Sequence, residues 1–239
     1  MYFRKDEIRK LNPWRGLPTT GDFVLPQEKA YIEAYNAEQA KPENRVRLEI
    51  PPDPFVGSPD TARVLLLTKS PSWDERNIAD YEDNPAYAQA MHQNLQFENE
   101  DYPFYYLNPA FAHTSGYQWW FPKLRELIEA CQERLGAEEA QALVAKRVMT
   151  VAYFPYHVEK YVGTVQNMPS QKYSFGLVGA LAQGGIPVVI QSHGKLWLKQ
   201  MPSGHGTVIT TNSAQSNFIS RRNLPEGEFE KLLDLLTKD

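Results

Sequence analysis

The 239-residue chain has one cysteine, Cys131. A single cysteine excludes an internal disulfide and any cysteine-built zinc site. It sits at helical spacing within LRELIEACQERLG, which reads as a buried structural thiol. No apolar run approaches the roughly 20 residues of a membrane-spanning helix. The opening MYFRKDEIRKLNPW carries no apolar stretch of the secretory kind. These absences predict a cytoplasmic protein with no membrane partner. An excess of positive charge is also lacking, since the formal net charge is −4, which argues against wholesale phosphate binding. No H-E-x-x-H or C-x-x-C spacing occurs. His193 and His205 are 12 apart with His157 remote, so no metal site is expected. GLVGALAQGG follows a polar loop rather than a strand and is no dinucleotide fingerprint. G-x-S-x-G and Walker-type loops are missing, as are repeats and low-complexity tracts, and no cofactor is expected.

What is present is apolar enough for a sizeable core, with 42% hydrophobic and 12% aromatic residues. The length suits one large domain, or one domain with an extension. Residues 1–60 hold eight prolines and read as an arm packed on a main domain of residues 61–239, with LPQEKAYIEAYNAEQA as its helix. From Ala62 the pattern changes. ARVLLLTKS is continuously apolar, as a strand buried on both faces must be. FYYLNPAF, RVMTVAYFPYH, IPVVIQSHG and TVITTNSAQS follow as further strands. Between them AYAQAMHQNL, QWWFPKLRELIEACQERLG, GAEEAQALVAK and SQKYSFGLVGALAQGG read as helices, and EGEFEKLLDLLTKD closes the chain. Strands alternating with helices predict a three-layer α/β/α sandwich around a mainly parallel sheet.

Charge is unevenly spread. Residues 74–101 hold eight acids and one base, whereas residues 146–222 hold eight bases and one acid. That asymmetry predicts a positive face built by the second half of the chain; scattered, solvated charge is the plainer alternative.

In an open parallel sheet, ligands bind beyond the carboxyl ends of the strands. The five expected strands end in TKSPSWD, LNPAFAH, YFPYHVEK, QSHGKLW and TNSAQSN. They deliver Ser70, Asp74, Asn108, His113, His157, His193, Asn212 and Ser213 toward one edge, with Trp73, Tyr105, Tyr106, Phe111, Tyr156 and Trp197. Aromatic faces to stack on, plus amides and imidazoles to read an edge, suit a planar heterocycle.

The chain resembles the uracil-DNA glycosylase superfamily, over residues 60–235 in order. L-T-K-S-P-S stands where that family has a G-Q-D-P-Y-type loop, Y-L-N-P where it has L-L-N, and T-N-S-A-Q-S where it has an H-P-S-P-type loop. The resemblance implies the fold of that family and an enzyme that extrudes a nucleotide from DNA and hydrolyses its N-glycosidic bond. It gives Asn108 the base-reading role; a turn residue before Pro109 is the alternative. Ser70 replaces the water-activating acid, and Asp74 is the nearest carboxylate to stand in, although TKSPSWDER also reads as a helix start. Asn212 replaces the electrophilic histidine, with His193 as its substitute. Ser72 replaces the tyrosine that excludes larger pyrimidines. Tyr105 or Phe111 would stack on the base, and His157 would touch base or phosphate. Lys195, Lys199, Ser216, Asn217, Arg221 and Arg222 would hold DNA, with Phe218, Ile219 or Leu224 as an apolar wedge.

The departures at Ser70, Ser72 and Asn212 turn the expectation from plain uracil to a modified pyrimidine. Glucosylated hydroxymethylcytosine in phage DNA, attacked by a monomeric prokaryotic defence enzyme, is the preferred case. The alternatives are a catalytically inactive nucleic-acid-binding protein of the same fold and a glycosidase acting on free nucleosides or nucleotides.

Overall fold

Val64, Leu65, Leu66 and Leu67 are each no more than 1% exposed, because the strand they form is covered on both faces. The structure is a computed structural model describing residues 3–136, 139–162, 168–201, 206–213 and 215–238. In chain order come α1 (Lys29–Glu38), β1 (Phe55–Val56), β2 (Val64–Thr68), α2 (Arg76–Glu82), α3 (Pro85–Gln96), α4 (Ser115–Leu135) and α5 (Ala140–Arg147). Then follow β3 (Val148–Ala152), α6 (Pro169–Gln183), β4 (Val188–Ile190), α7 (Gly194–Gln200), β5 (Val208–Thr210) and α8 (Glu228–Thr237). The strands form one sheet in the order β1-β3-β2-β4-β5. All neighbours run parallel except β1, which is antiparallel to β3.

The fold is thus α/β, with helices on both faces of a mostly parallel sheet. Strand alternation sorts the core into two. Val64 and Leu66 join Val148, Val189 and Ile209 against α3, α4, α5 and α8. Leu65 and Leu67 join Met149, Val151 and Ile190 against α1, α6 and α7. Full burial of each such aliphatic side chain contributes roughly 1.5–3 kcal/mol. Cys131 belongs to the first cluster and is fully buried; burial pushes its thiol up to about 11. No helix among the described residues is long and apolar enough to cross a membrane.

The expected strand FYYLNPAF is instead two short 3-10 helices, Tyr105–Leu107 and Pro109–Phe111. The side chain of Asn108 accepts from the Ala110 amide and starts the second, and Pro109 has no amide hydrogen to give a ladder. The fifth strand comes from the arm. Its chain runs antiparallel along β3 and beyond it: the Ala152 amide donates to the Pro54 carbonyl, Asp53 to Pro155 and Arg47 to His157. Gly57, at φ +118°, lets the arm leave that edge, where a Cβ would meet the Val148 carbonyl at 2.8 Å. Buried Glu28 fixes the arm elsewhere by accepting from Tyr156 Oη, Ser170 N and Ser170 Oγ. Residues 1–60 therefore build part of the sheet as well as covering it.

Candidate functional site

β2 is flanked by β3 on one side and β4 on the other, so the chain changes direction across the sheet there. In such sheets that switch leaves a crevice beyond the strand ends. It holds a cavity of about 610 Å³, within the ordinary range for small-ligand sites. The loop after β2 supplies Ser70, Ser72, Trp73 and Asp74; the loops after β3, β4 and β5 supply His157, Gln191 with His193, and Asn217. The amino-terminal half of α4 closes the far wall with Trp119, Trp120 and Lys123.

Asp74 stands at the helix start expected from TKSPSWDER and also faces the cavity. Its carboxylate accepts from the Arg76 amide and Nε through Oδ1 and from Nη2 through Oδ2, at 2.9–3.1 Å, just ahead of α2, and it also lines the cavity. Those bonds from Arg76 hold its carboxyl below the usual carboxylate range. Arg76 Nη1 in turn donates to Gln118 Oε1 at 2.8 Å. Next to it Asn77 donates to Ser115 Oγ, which donates to Asp80, so the loop after β2 is tied to the start of α4.

The cavity floor is a cluster that sequence patterning does not announce. Asp53, from the arm, accepts from Tyr105 Oη at 2.9 Å and from Tyr106 Oη. Its Oδ2 lies 3.6 Å from His157 Nε2. Burial pushes the Asp53 carboxyl above its ordinary range, against the pull of His157, Tyr106 and Tyr105. His157 meets the Ser72 carbonyl at Nδ1 (2.9 Å) and the Pro51 carbonyl at Nε2 (3.1 Å). Both partners are backbone carbonyls, one on the loop after β2 and one on the arm. It is a buried clasp between arm and loop, beside Asp53, rather than a surface contact. Gly116 lets α4 approach this floor, where a Cβ would fall 2.0 Å from the Tyr106 ring.

His193 lines the mouth in a left-handed conformation, φ +56°. Burial, then the nearby charge of Lys69, pushes its pKa down. Gln191 is 1% exposed; its Nε2 donates to the Asn217 carbonyl at 2.6 Å, and its Oε1 has no partner among the described residues. Asn217 Oδ1 is likewise buried and without a partner among the described residues.

The structure therefore brings together Ser70, Ser72, Asp74, His157, His193 and Asn217. Other expected residues stand outside the cavity wall. Asn108 caps a turn. Tyr105 spends its hydroxyl on Asp53, and Phe111 packs edge-on to Tyr87 in the core. Asn212 donates to the Arg222 and Leu224 carbonyls, which holds the loop after β5 closed. The Ser216 carbonyl accepts from Asn223 in the same loop. Lys195 and Lys199 are exposed on α7, as is Arg222 further on, whereas Arg221 is paired with Glu126 and Glu230. Of the three wedge candidates Ile219 and Leu224 are buried and Phe218 is exposed.

Asp53, Gln191, Trp119, Trp120 and Lys123 were not singled out by sequence. Two of them leave a trace there. Asp53 is an acid in the apolar, proline-rich IPPDPF, and Lys123 interrupts the apolar stripe Trp120, Leu124, Leu127, Cys131 of its helix. Among the described residues no cluster of three His, Cys, Asp or Glu is placed to hold a metal ion; His205 lies outside those residues. No family model, no curated protein and no solved structure matches the chain.

Proposed function

We propose that the chain is a DNA glycosylase of the uracil-DNA glycosylase type, acting on a modified pyrimidine extruded from DNA and leaving an abasic site. The observation that carries this reading is the joint presence, in one cavity at the switch point of the sheet, of an ionised carboxylate, aromatic walls and a buried amide whose oxygen has no partner among the described residues. An extruded base costs a few kcal/mol of unstacking, which stacking and edge hydrogen bonds must offset. Trp73, Trp119, Trp120 and Tyr106 provide faces for that stacking. Gln191, with Asn217 beside it, takes the edge-reading role in place of Asn108: an unpaired amide oxygen accepts from an exocyclic amine or a ring N–H.

Asp74 stabilises the oxocarbenium-like sugar or orients water, with Ser70 beside it. A carboxylate held ionised by Arg76 suits electrostatic stabilisation of a cation. His193 donates to the departing base. Ser72 leaves room for a substituent that a tyrosine there would exclude, which favours a bulky base such as glucosylated hydroxymethylcytosine. Lys195, Lys199 and Arg222 contact phosphates and make binding salt-dependent.

Base release from duplexes containing uracil, unmodified cytosine or glucosylated hydroxymethylcytosine tests the proposal. Alkali-sensitive sites are expected in the last, with Asp74→Asn slowing their formation by about 10²-fold or more. Sites on uracil DNA alone, or on none of the three, would overturn it.

A further inference from the structure

Lys123 is 9% exposed, lines the cavity, and makes no ion pair among the described residues. Its Nζ donates to the Trp119 carbonyl, one turn back in its own helix, at 2.8 Å. The same atom lies 3.4 Å from the Trp119 ring centroid and 5.8 Å from that of Phe218. The other lysine and the arginine of the wall are engaged differently: Arg76 is neutralised by Asp74, and Lys69 donates to the Tyr161 carbonyl. An ammonium packed against indole without a counter-ion is poorly solvated, and poor solvation favours the neutral amine.

We propose that Lys123 is a nucleophile, and that the protein carries an abasic-site lyase activity in addition to base release. This rests on the glycosylase reading, which supplies the aldehyde in the same cavity. The amine lone pair attacks C1′ of the ring-opened abasic sugar. The carbonyl oxygen takes one proton from the attacking nitrogen and one from solvent and leaves as water, giving a protonated imine. A cavity carboxylate, Asp53, Asp74 or Glu159, then removes a C2′ proton. The C–H electrons form the C2′–C3′ double bond, the C3′–O bond breaks, and the phosphate leaves as the 5′ end of the downstream strand. Water hydrolyses the imine and returns the lysine. Burial supports the chemistry by pushing the ammonium down to about 8, so that roughly a tenth is neutral amine at pH 7, as Schiff-base lysines require.

Borohydride reduction with a duplex carrying a preformed aldehydic abasic site is the test, because it needs no base release. A tetrahydrofuran duplex, which has no C1′ aldehyde, is the control. A covalent protein–DNA adduct on the aldehyde duplex alone is expected, reduced at least tenfold in Lys123→Arg, which keeps the charge but forms no imine. Peptide mass spectrometry of the wild-type adduct should place the modification on Lys123, which serves even if the variant folds poorly. Absence of an adduct, an adduct undiminished in the arginine variant, or one mapped to a surface lysine such as Lys195 would overturn the proposal. Base release without trapping defeats the lyase alone; trapping without base release defeats the glycosylase reading alone.

Discussion

The Asp53 carboxylate and the His157 imidazole face each other at 3.6 Å, one 6% and the other 2% exposed, and they join two parts of the chain more than 100 residues apart. The imidazole holds the carbonyls of Pro51 and Ser72 together. The Asp53 carboxyl lies beside the ring and is itself held by two tyrosines. The arm thereby locks the loop that carries Ser70, Ser72 and Asp74.

Asp53→Asn replaces one carboxyl oxygen by an amide NH2 while keeping the volume. It leaves one of the two tyrosine hydroxyls facing a donor instead of an acceptor. A buried polar group left without its partner costs about 1–3 kcal/mol. Urea denaturation should show a loss of that size, and base release should fall as the loop loosens. A loss under about 1 kcal/mol would mean that these hydrogen bonds contribute little.

Arg76→Leu should move the acidic limb of activity upward in pH. Arg76 favours the ionised form of Asp74, so its folded pKa lies below the ordinary value. Function that needs the carboxylate is present above that pKa and is lost as pH falls through it. Without Arg76 the loss begins at a higher pH. Carboxyl NMR titration of Asp74 in both proteins, together with pH–rate profiles, checks the shift; coincident curves would refute it.

Lys123→Met should change how stability depends on alkali. The folded pKa is about 8 against an ordinary 10.5, so between those values the unfolded chain binds more protons. Stability then rises with pH across that window, with a slope contribution of at most about 1.4 kcal/mol per unit. Subtracting the methionine variant's curve removes the titrating tyrosines common to both. The difference should be largest in favour of methionine below about pH 8 and should shrink toward pH 10.5. A flat difference would show that the ammonium is not desolvated.

Much of the architecture was legible because it depends on local pattern. VLLLT is apolar without alternation, which only a strand covered on both faces tolerates. The stripe from Trp120 to Cys131 fits α4, and SQKYSFGLVGALAQGG fits α6. FYYLNPAF misled because its aromatic run has strand-like composition, while the Asn108–Pro109 turn chemistry and the pull of Asp53 on two tyrosines decide its shape.

The site was legible in half. Residues directly following β2 and β4, such as Ser70, Asp74 and His193, reach the cavity because a parallel sheet sends its strand ends to one edge. Asn108 and Asn212 were assigned by order along the chain, but their amides close local turns instead. What composition and periodicity determined was four of the five strands, their helical cover and the edge that carries the cavity. Tertiary structure alone decided that Asp53 meets His157 and that, among the described residues, Gln191 keeps an unpaired oxygen and Lys123 stands without a counter-ion. Those features depend on which distant groups share a desolvated volume, and hydrophobic patterning along a chain records burial but not partnership.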